Sequence, residues 1–206
     1  MTALPLYPEI APHAQVVTQY SVHECGKPGR ADRHFEYLAD PSRDCRRKLA
    51  ERLVADLGTE GSVVVYSSFE RQRIGELARL FPDLAGPLAA ISERLFDLLQ
   101  VVRAHYYHPA FHGSYSIKTV LPVLVPDMTY EGMAIGDGGA AMARFARTAL
   151  GRCSRAECEA TRRELLAYCG QDTMAMVRLH ERLGSPEPSG RGTARPRQAA
   201  RRTSGS

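Results

Sequence analysis

The segment GSVVVYSS (61–68) constrains the fold more than any other, because its three consecutive valines leave no polar face for solvent. A continuous apolar run of β-branched residues is typical of a strand that is buried on both faces, as in a parallel sheet. The residues that follow, FERQRIGELARLFP, have the pattern of a helix and begin without an intervening loop. A buried strand that leads directly into a helix indicates an α/β fold.

The N-terminal half carries the other strand signals. Residues 14–25 and 33–39 have strand-like alternation and are joined by the turn GKPGRAD, so they predict an antiparallel hairpin. A helix is expected between a Ser42 cap and Gly58. A short strand is expected at LFDLL, around Asp97, where it leads into another helix.

The C-terminal half carries mainly helix signals. The segment YYHPAFHGSYS (106–116) predicts a loop, and IKTVLPVLV predicts a short helix after it. DGGAAMARFARTALG predicts a helix with Asp137 as its cap, and the last helix is expected over 155–183. We therefore predict the α/β class, with a mixed sheet flanked by helices and a helical C-terminal half.

Charge separates a body from a tail. Residues 185–206 hold five arginines and one glutamate, a net of +4, which equals the +4 of the whole chain and leaves the body neutral. Their Pro, Gly, Ser and Arg content predicts disorder, so we expect one domain over 1–184 and a disordered basic tail over 185–206. The tail either adds salt-sensitive affinity for nucleic acid or only keeps the chain soluble.

The cysteines and apolar runs bear on location. The five cysteines are scattered without a zinc-binding spacing, and Cys153 and Cys158 are interpreted as two separate thiols beside a helix. The sequence contains no run of eighteen apolar residues, so no membrane span is expected. The N-terminus lacks the pattern of a secretory signal, which makes the cytoplasm the expected location.

Two acids are candidates for chemistry. Glu70 follows Ser67, Ser68 and Phe69 at the carboxyl end of the valine strand, where active groups of open α/β sheets gather. Asp172 lies in the middle of the last helix, four residues after Tyr168 and on the same helix face. Each acid alone is also consistent with an ordinary helix start or a solvated surface position. Together they predict a site for Mg²⁺ or Mn²⁺, which prefer carboxylate oxygens.

A resemblance to known families rests on these same segments. VVVYSSFERQRIGEL and YCGQD resemble the second and third motifs of the DEDD exonucleases, the DnaQ-like branch of the ribonuclease-H-like fold. Three blocks, HYYHPAFHGSYSIKTVLPVLVPDMTY, DGGAAMARF and AYCGQDTMAMVRL, resemble a bacterial family called domain of unknown function 2779. This second resemblance extends over nearly all of residues 3 to 183.

The resemblance implies a 3′–5′ exonuclease that hydrolyses phosphodiesters with two divalent cations. Glu70 and Asp172 would be metal ligands, and Tyr168 would orient the attacking water. Glu70 stands where the superfamily usually has aspartate, and its longer side chain can reach a metal directly or through a ligated water. These three residues are the catalytic residues that the resemblance implies.

The first motif of that superfamily, Asp-x-Glu on the first strand, is not found before Ala3, because only Met1 and Thr2 precede it. The expected sheet therefore lacks its first strand, which is normally central, and would contain a slot with unpaired backbone groups on both sides. The gene starts further upstream, the N-terminal segment fills the gap, or the chain is a decayed fragment. An upstream nuclease-like region or a partner chain is the expected protein partner. We expect little or no nuclease activity from the chain by itself, and a non-catalytic module that binds nucleic acid or a partner is the alternative.

A second set of residues is expected to contact single-stranded nucleic acid. In the loop 106–116 and the start of the next helix, rings would stack on bases and polar groups would contact phosphates. Its alternative role is a loop whose rings pack on the body of the domain. The residues assigned to this contact are Ser67, Phe69, Ser114, Tyr115, Ser116 and Lys118.

Overall fold

The fold is α/β with a helical C-terminal half, as predicted. The computed structural model describes residues 6–11 and 14–185; the predicted tail beyond Ser185 lies outside them. Two short 3-10 turns, Pro82–Leu84 and Pro109–Phe111, lie between longer elements. The strands and α-helices, in chain order, are β1 (Gln19–Glu24), β2 (Arg33–Leu38), α1 (Arg46–Leu57), β3 (Val63–Val65), α2 (Phe69–Leu80), α3 (Ala85–Glu93), β4 (Leu95–Asp97), α4 (Leu98–His105), α5 (Ile117–Leu124), α6 (Gly138–Ala149) and α7 (Arg155–Gly184).

The strands form two separate pairs. The predicted hairpin is confirmed: β1 and β2 are antiparallel, with Gln19 opposite Leu38 and Glu24 opposite Arg33. β3 and β4 are parallel, with Val63 opposite Leu95. In the described part of the chain β1 and β3 do not pair with each other, so the strands form two small sheets, one antiparallel and one parallel.

β3 is less buried than its valines predict. Val65 is buried, but Val63 and Val64 remain partly exposed. β3 pairs with β4 along one edge, and no other strand within the described ranges pairs with it. A strand with one free edge lacks the neighbours that would cover it in a larger parallel sheet. The expectation of full burial on both faces is therefore wrong at two of the three valines.

Three clusters of buried side chains form most of the core. Full burial of such a side chain stabilises the fold by roughly 1.5–3 kcal/mol. The first cluster joins α1, α2 and α3 through Leu49, Leu53, Ile74, Leu77, Leu88 and Ile91. The second joins α4, α5 and α7 through Leu98, Val102, Phe111, Val120 and Leu179. The third joins β2, α6 and α7 through residues that include Leu38, Phe145, Leu165 and Tyr168. Helix α7 contributes to the second and third of these clusters and thereby links the hairpin and α6 to α4 and α5.

Of the three helix-end residues predicted from the sequence, two are confirmed and one is wrong. The Asp137 side chain accepts a hydrogen bond from the Ala140 N–H at 2.8 Å, which confirms it as the cap of α6. Gly58 ends α1 with a positive φ of 53°, as predicted. Ser42 does not cap α1, which begins at Arg46. Its hydroxyl and N–H donate to Asp40 instead, at 2.7 and 3.0 Å.

The interpretation of Cys153 and Cys158 as separate thiols is wrong, because the structure joins them in a disulfide. Helix α7 begins with a capping box between Ser154 and Glu157. Cys153 therefore immediately precedes the cap and Cys158 is the fourth residue of the helix, positions whose side chains meet in capped helices. Their Cα atoms are 6.0 Å apart, within the ordinary disulfide range. The capping pattern S-x-x-E flanked by these two cysteines was the available signal.

Candidate functional site

Glu70 and Asp172 each hold a buried carboxylate oxygen without a hydrogen-bond partner among the described residues. Glu70 lies in the first turn of α2, directly after β3, and its unpartnered atom is Oε2. Asp172 lies midway along α7, and its unpartnered atom is Oδ1. Leaving a buried acceptor without a partner costs roughly 1–3 kcal/mol, and more for a charged group. A proton or a cation would relieve that cost at both positions.

The two acids lie within electrostatic range of each other. Burial is the main cause that raises the pKa of Glu70, and the charges of Asp97 and Asp172 raise it further. Asp97, at the end of β4, and Asp172, in the middle of α7, thus both lie near enough to Glu70 for their charges to act on it. Clustered carboxylates in a poorly hydrated site favour binding a cation or sharing a proton.

The Asp172 carboxyl is surrounded by three groups that favour its charged form. Burial raises its pKa, whereas hydrogen bonding from the Tyr130 and Tyr168 hydroxyls and the charge of Lys118 act in the opposite direction. The contact with Tyr130 is not well aligned, since its hydroxyl and Asp172 Oδ1 both remain without a hydrogen-bond partner in the described ranges. The pKa values of both tyrosines are raised by burial and by Asp172, so their hydroxyls stay protonated.

Lys118 belongs to the surroundings of Asp172. Its ammonium lies 5.3 Å from the ring centroids of both Tyr130 and Tyr168, a distance suited to cation–π attraction. It also donates a hydrogen bond to the Gly136 carbonyl. The sequence assigned Lys118 to a phosphate contact at the start of the predicted helix. The structure places it on that helix, α5, where its charge acts on Asp172 of α7.

Asp97 holds the turn that precedes Glu70. Its Oδ1 accepts hydrogen bonds from the N–H groups of Ser67 and Leu99, both at 2.9 Å. Ser67 has a positive φ of 120°, which is uncommon for a residue other than glycine. Asp97 therefore fixes a strained turn at the carboxyl end of β3 and also caps α4. The Ser67 hydroxyl accepts from the Phe69 N–H at 3.2 Å, within the same turn.

Replacing Asp97 with alanine is expected to destabilise the protein by about 1–2 kcal/mol, the usual cost of losing a helix cap. The Ser67 N–H would lose its acceptor and α4 would lose its cap. Asp97→Asn keeps an oxygen at the same position and is expected to retain most of that stability. Urea denaturation of the three proteins measures the difference. An equal loss for both variants would show that charge, and not hydrogen-bond geometry, is what Asp97 contributes.

The other residues assigned to nucleic acid have different surroundings. The Phe69 ring is 53% exposed and lies under the Arg73 guanidinium at 5.3 Å. The Tyr115 ring is half-buried and packs edge-on against Phe111, with centroids 5.7 Å apart. The Tyr115 carbonyl also accepts from the Tyr66 hydroxyl at 2.7 Å. Of these rings, Phe69 offers the exposed face that base stacking requires.

Ser114 and Ser116 are exposed and organise the start of α5. The Ser116 hydroxyl caps the helix by accepting from the Thr119 N–H at 3.3 Å. The Ser114 hydroxyl accepts from the Ser116 N–H at 3.3 Å. These bonds explain why both serines lie in this turn independently of any ligand.

The described residues do not contain a group of three or more His, Cys, Asp or Glu side chains arranged to hold a metal ion. The Asp97 Oδ1 is already used by two N–H groups, which leaves Glu70 and Asp172 as the carboxylates with free oxygens. Their chemistry fits a hard divalent cation, but two side chains provide only part of the six or so oxygen ligands such an ion takes. Tyr130 was missed by sequence reasoning, because no short-range pattern links it to Asp172.

A cavity of about 1150 Å³ opens beside Glu70, between the two strand pairs. Five consecutive residues of β1, Tyr20–Glu24, and Val63–Val65 of β3 line it. Residues of α1 and α2, and residues of α7 that begin at Thr173, also belong to its lining. Asp172 thus directly precedes the part of α7 that faces the cavity.

The helices in the described ranges are all too short or too polar to cross a membrane. Comparisons with curated proteins and with solved structures found no match. The model of the family described as domain of unknown function (DUF2779) matches residues 1–116 of the 206, which extend from the N-terminus to the turn before α5. Lys118, Tyr168 and Asp172 lie beyond the matched residues. Since the match extends over more than half of its length, the chain belongs to the DUF2779 family.

Proposed function

We propose that this domain is a ribonuclease-H-like, DEDD-type 3′–5′ exonuclease domain whose acidic centre contains Glu70 and Asp172. One observation carries the proposal: each acid has a buried carboxylate oxygen without a hydrogen-bond partner in the described part of the chain, and the charge of Asp172 helps to raise the pKa of Glu70. Such a pair is unfavourable by itself and becomes favourable when a cation lies between the oxygens. The proposed substrate is single-stranded nucleic acid.

Mg²⁺ or Mn²⁺ is the proposed cofactor, held by Glu70 and Asp172. When bound, the cation supplies the positive charge that activates water and stabilises the leaving oxygen in phosphodiester hydrolysis. Tyr168 stays protonated beside Asp172 and can orient a water through its hydroxyl. The exposed Phe69 ring, one residue before Glu70, is positioned to stack on a base.

The described residues supply an incomplete set of ligands, so we expect little or no nuclease activity from this chain by itself. A second candidate function follows from that incompleteness. The domain would then bind nucleic acid or a partner protein without hydrolysis, and the absence of a three-acid cluster from the described residues favours this candidate.

The test is direct cation binding, measured by calorimetric titration with Mn²⁺, together with degradation of labelled single-stranded DNA and RNA. The wild-type chain is expected to bind Mn²⁺ and to leave both substrates intact. Glu70→Gln and Asp172→Asn are each expected to weaken Mn²⁺ binding by about tenfold or more, at least the loss that supporting residues of metal sites cause. Asp83→Asn is the matched control, because Asp83 is an exposed partner of Arg47.

Two results would contradict these proposals. If the wild type does not bind Mn²⁺, or if the wild type and Asp172→Asn bind it equally well, a metal centre at this position is excluded. If the wild type degrades the nucleic acids and Asp172→Asn abolishes this activity, the acids of the described residues are sufficient for hydrolysis. The proposal of an incomplete centre would then be wrong.

A further inference from the structure

We propose that the cavity between β1 and β3 is a docking slot for one additional β-strand. The occupant is an extended polypeptide segment with apolar side chains on both faces, which pairs with β1 and β3 at the same time. This inference deepens the proposed function, because the docked strand would lie beside Glu70.

The lining of the cavity shows that it meets the edges of the strands. Successive side chains of a strand point to opposite faces, so a cavity against one face touches alternate residues only. Here five consecutive residues of β1, Tyr20–Glu24, and all three of β3, Val63–Val65, line the cavity. What those consecutive residues share is the backbone edge, with its N–H and C=O groups.

Both edges are free for pairing. β1 pairs with β2 along its other edge and β3 pairs with β4 along its other edge. Within the described ranges, no further strand pairs with either of them. Unpaired backbone groups in a partly apolar cavity favour pairing with an incoming strand, which satisfies donors and acceptors on both sides.

The size of the cavity fits one strand. A strand of six residues is about 20 Å long, takes up about 4.8 Å between neighbours, and lies in a layer about 10 Å thick, so it needs on the order of 1000 Å³. The cavity measures about 1150 Å³, and β1 itself has six residues.

The walls specify the side chains of the occupant. Leu53, Ile74, Met176 and Val177 contribute apolar side chains to the lining of the slot. A central strand between them therefore needs apolar residues at both odd and even positions.

The experiment uses the full chain and a synthetic peptide, with hydrogen exchange of backbone amides followed by NMR. The probe has about six alternating Val and Ile residues between lysine pairs that keep it soluble. It is used free and also fused to the N-terminus through a Gly/Ser linker, which raises its local concentration to about the millimolar range. We expect amide exchange in both Tyr20–Glu24 and Val63–Val65 to slow by about tenfold or more when the peptide is bound.

Two controls separate strand pairing from apolar contact. N-methylation of every second peptide amide removes the hydrogen-bond donors along one edge of the docked peptide. N-methylation of the remaining amides removes the donors along its other edge. Each isomer should bind about tenfold or more weakly, because several hydrogen bonds are lost. Val177→Glu, which places a charge in the slot, should weaken binding similarly, whereas Leu150→Glu, a 40% exposed position outside the cavity lining, should not.

Three results would overturn the proposal. The first is no protection of β1 and β3 with either the free or the fused peptide. The second is equal binding of the two N-methylated isomers and the parent peptide. The third is slow exchange of the same amides in the absence of peptide, in a sample whose molecular mass is that of a dimer. This result would identify a second copy of the chain as the occupant. All measurements are made in EDTA, so a failure of cation binding and a failure of strand docking are observed separately.

Discussion

Replacing Asp172 with asparagine is expected to stabilise the cation-free protein, although the same change should remove cation binding. The Asp172 carboxyl is largely buried, and its Oδ1 has no hydrogen-bond partner in the described part of the chain. Burial is the main cause that raises its pKa in the folded state. Asparagine has nearly the same shape and carries no charge to be desolvated. A gain of about 1 kcal/mol corresponds to a rise in Tm of roughly 2–4 °C for a domain of this size.

The pH dependence of this gain follows from the raised pKa. The pKa of an aspartate in the unfolded chain is about 3.9, and the pKa of Asp172 in the folded protein lies above it, so the folded state holds the proton more tightly. The cost of the buried charge is therefore absent at acid pH. It appears as pH rises through the window between the two pKa values and is complete above the folded pKa. Burial also raises the pKa of Glu70, so Glu70→Gln should behave in the same way.

Thermal unfolding in EDTA at pH 4 and at pH 8 measures this prediction. The Tm difference between Asp172→Asn and wild type should be large at pH 8 and small at pH 4. Asp83→Asn serves as the control, because Asp83 is exposed and its pKa is lowered by Arg47, so this change should not stabilise the fold. If Asp172→Asn were less stable than wild type at pH 8, the carboxylate would be a structural acceptor and not a group kept for a ligand.

Phe111→Ala is expected to destabilise the protein by about 3–5 kcal/mol, which is typical for a large aromatic residue removed from a core. The Phe111 ring is 1% exposed and packs within the cluster of α4, α5 and α7. It also contacts the rings of His108 and Tyr115, with centroids 5.9 and 5.7 Å away. Alanine would leave a cavity that these helices cannot close without moving.

Urea denaturation measures this loss, and Tyr107→Ala is the matched control. Tyr107 lies in the same loop but is 78% exposed, so its removal should change stability by no more than about 0.5 kcal/mol. Equal effects of the two substitutions would mean that the loop 106–116 is not anchored by Phe111. The predicted contrast would show that one ring of this loop belongs to the core while its neighbour is available to a ligand.

Local patterns in the sequence were sufficient for the helices and for the hairpin. The alternation of residues 14–25 and 33–39 predicted β1 and β2, and Asp137 was recognised as the cap of α6 from the residues next to it. Ser42 failed as a cap because α1 begins at Arg46, so Ser42 lies three residues before the position that precedes the helix. Periodicity and capping involve residues within one or two turns of each other, so they can be read from neighbouring letters.

The composition of the candidate site was decided by packing between distant segments. Glu70 and Asp172 could be named from the sequence, but Tyr130 and Lys118 lie beside Asp172 only because α5 and the segment before α6 pack against α7. The slot between β1 and β3 is also a tertiary property, since it depends on which strand edges find a partner. Sequence alone determined where strands and helices form, because those choices depend on side chains close in the chain. Only the tertiary structure decided which backbone edges and carboxylate oxygens remain unsatisfied, because burial depends on segments far apart in the chain.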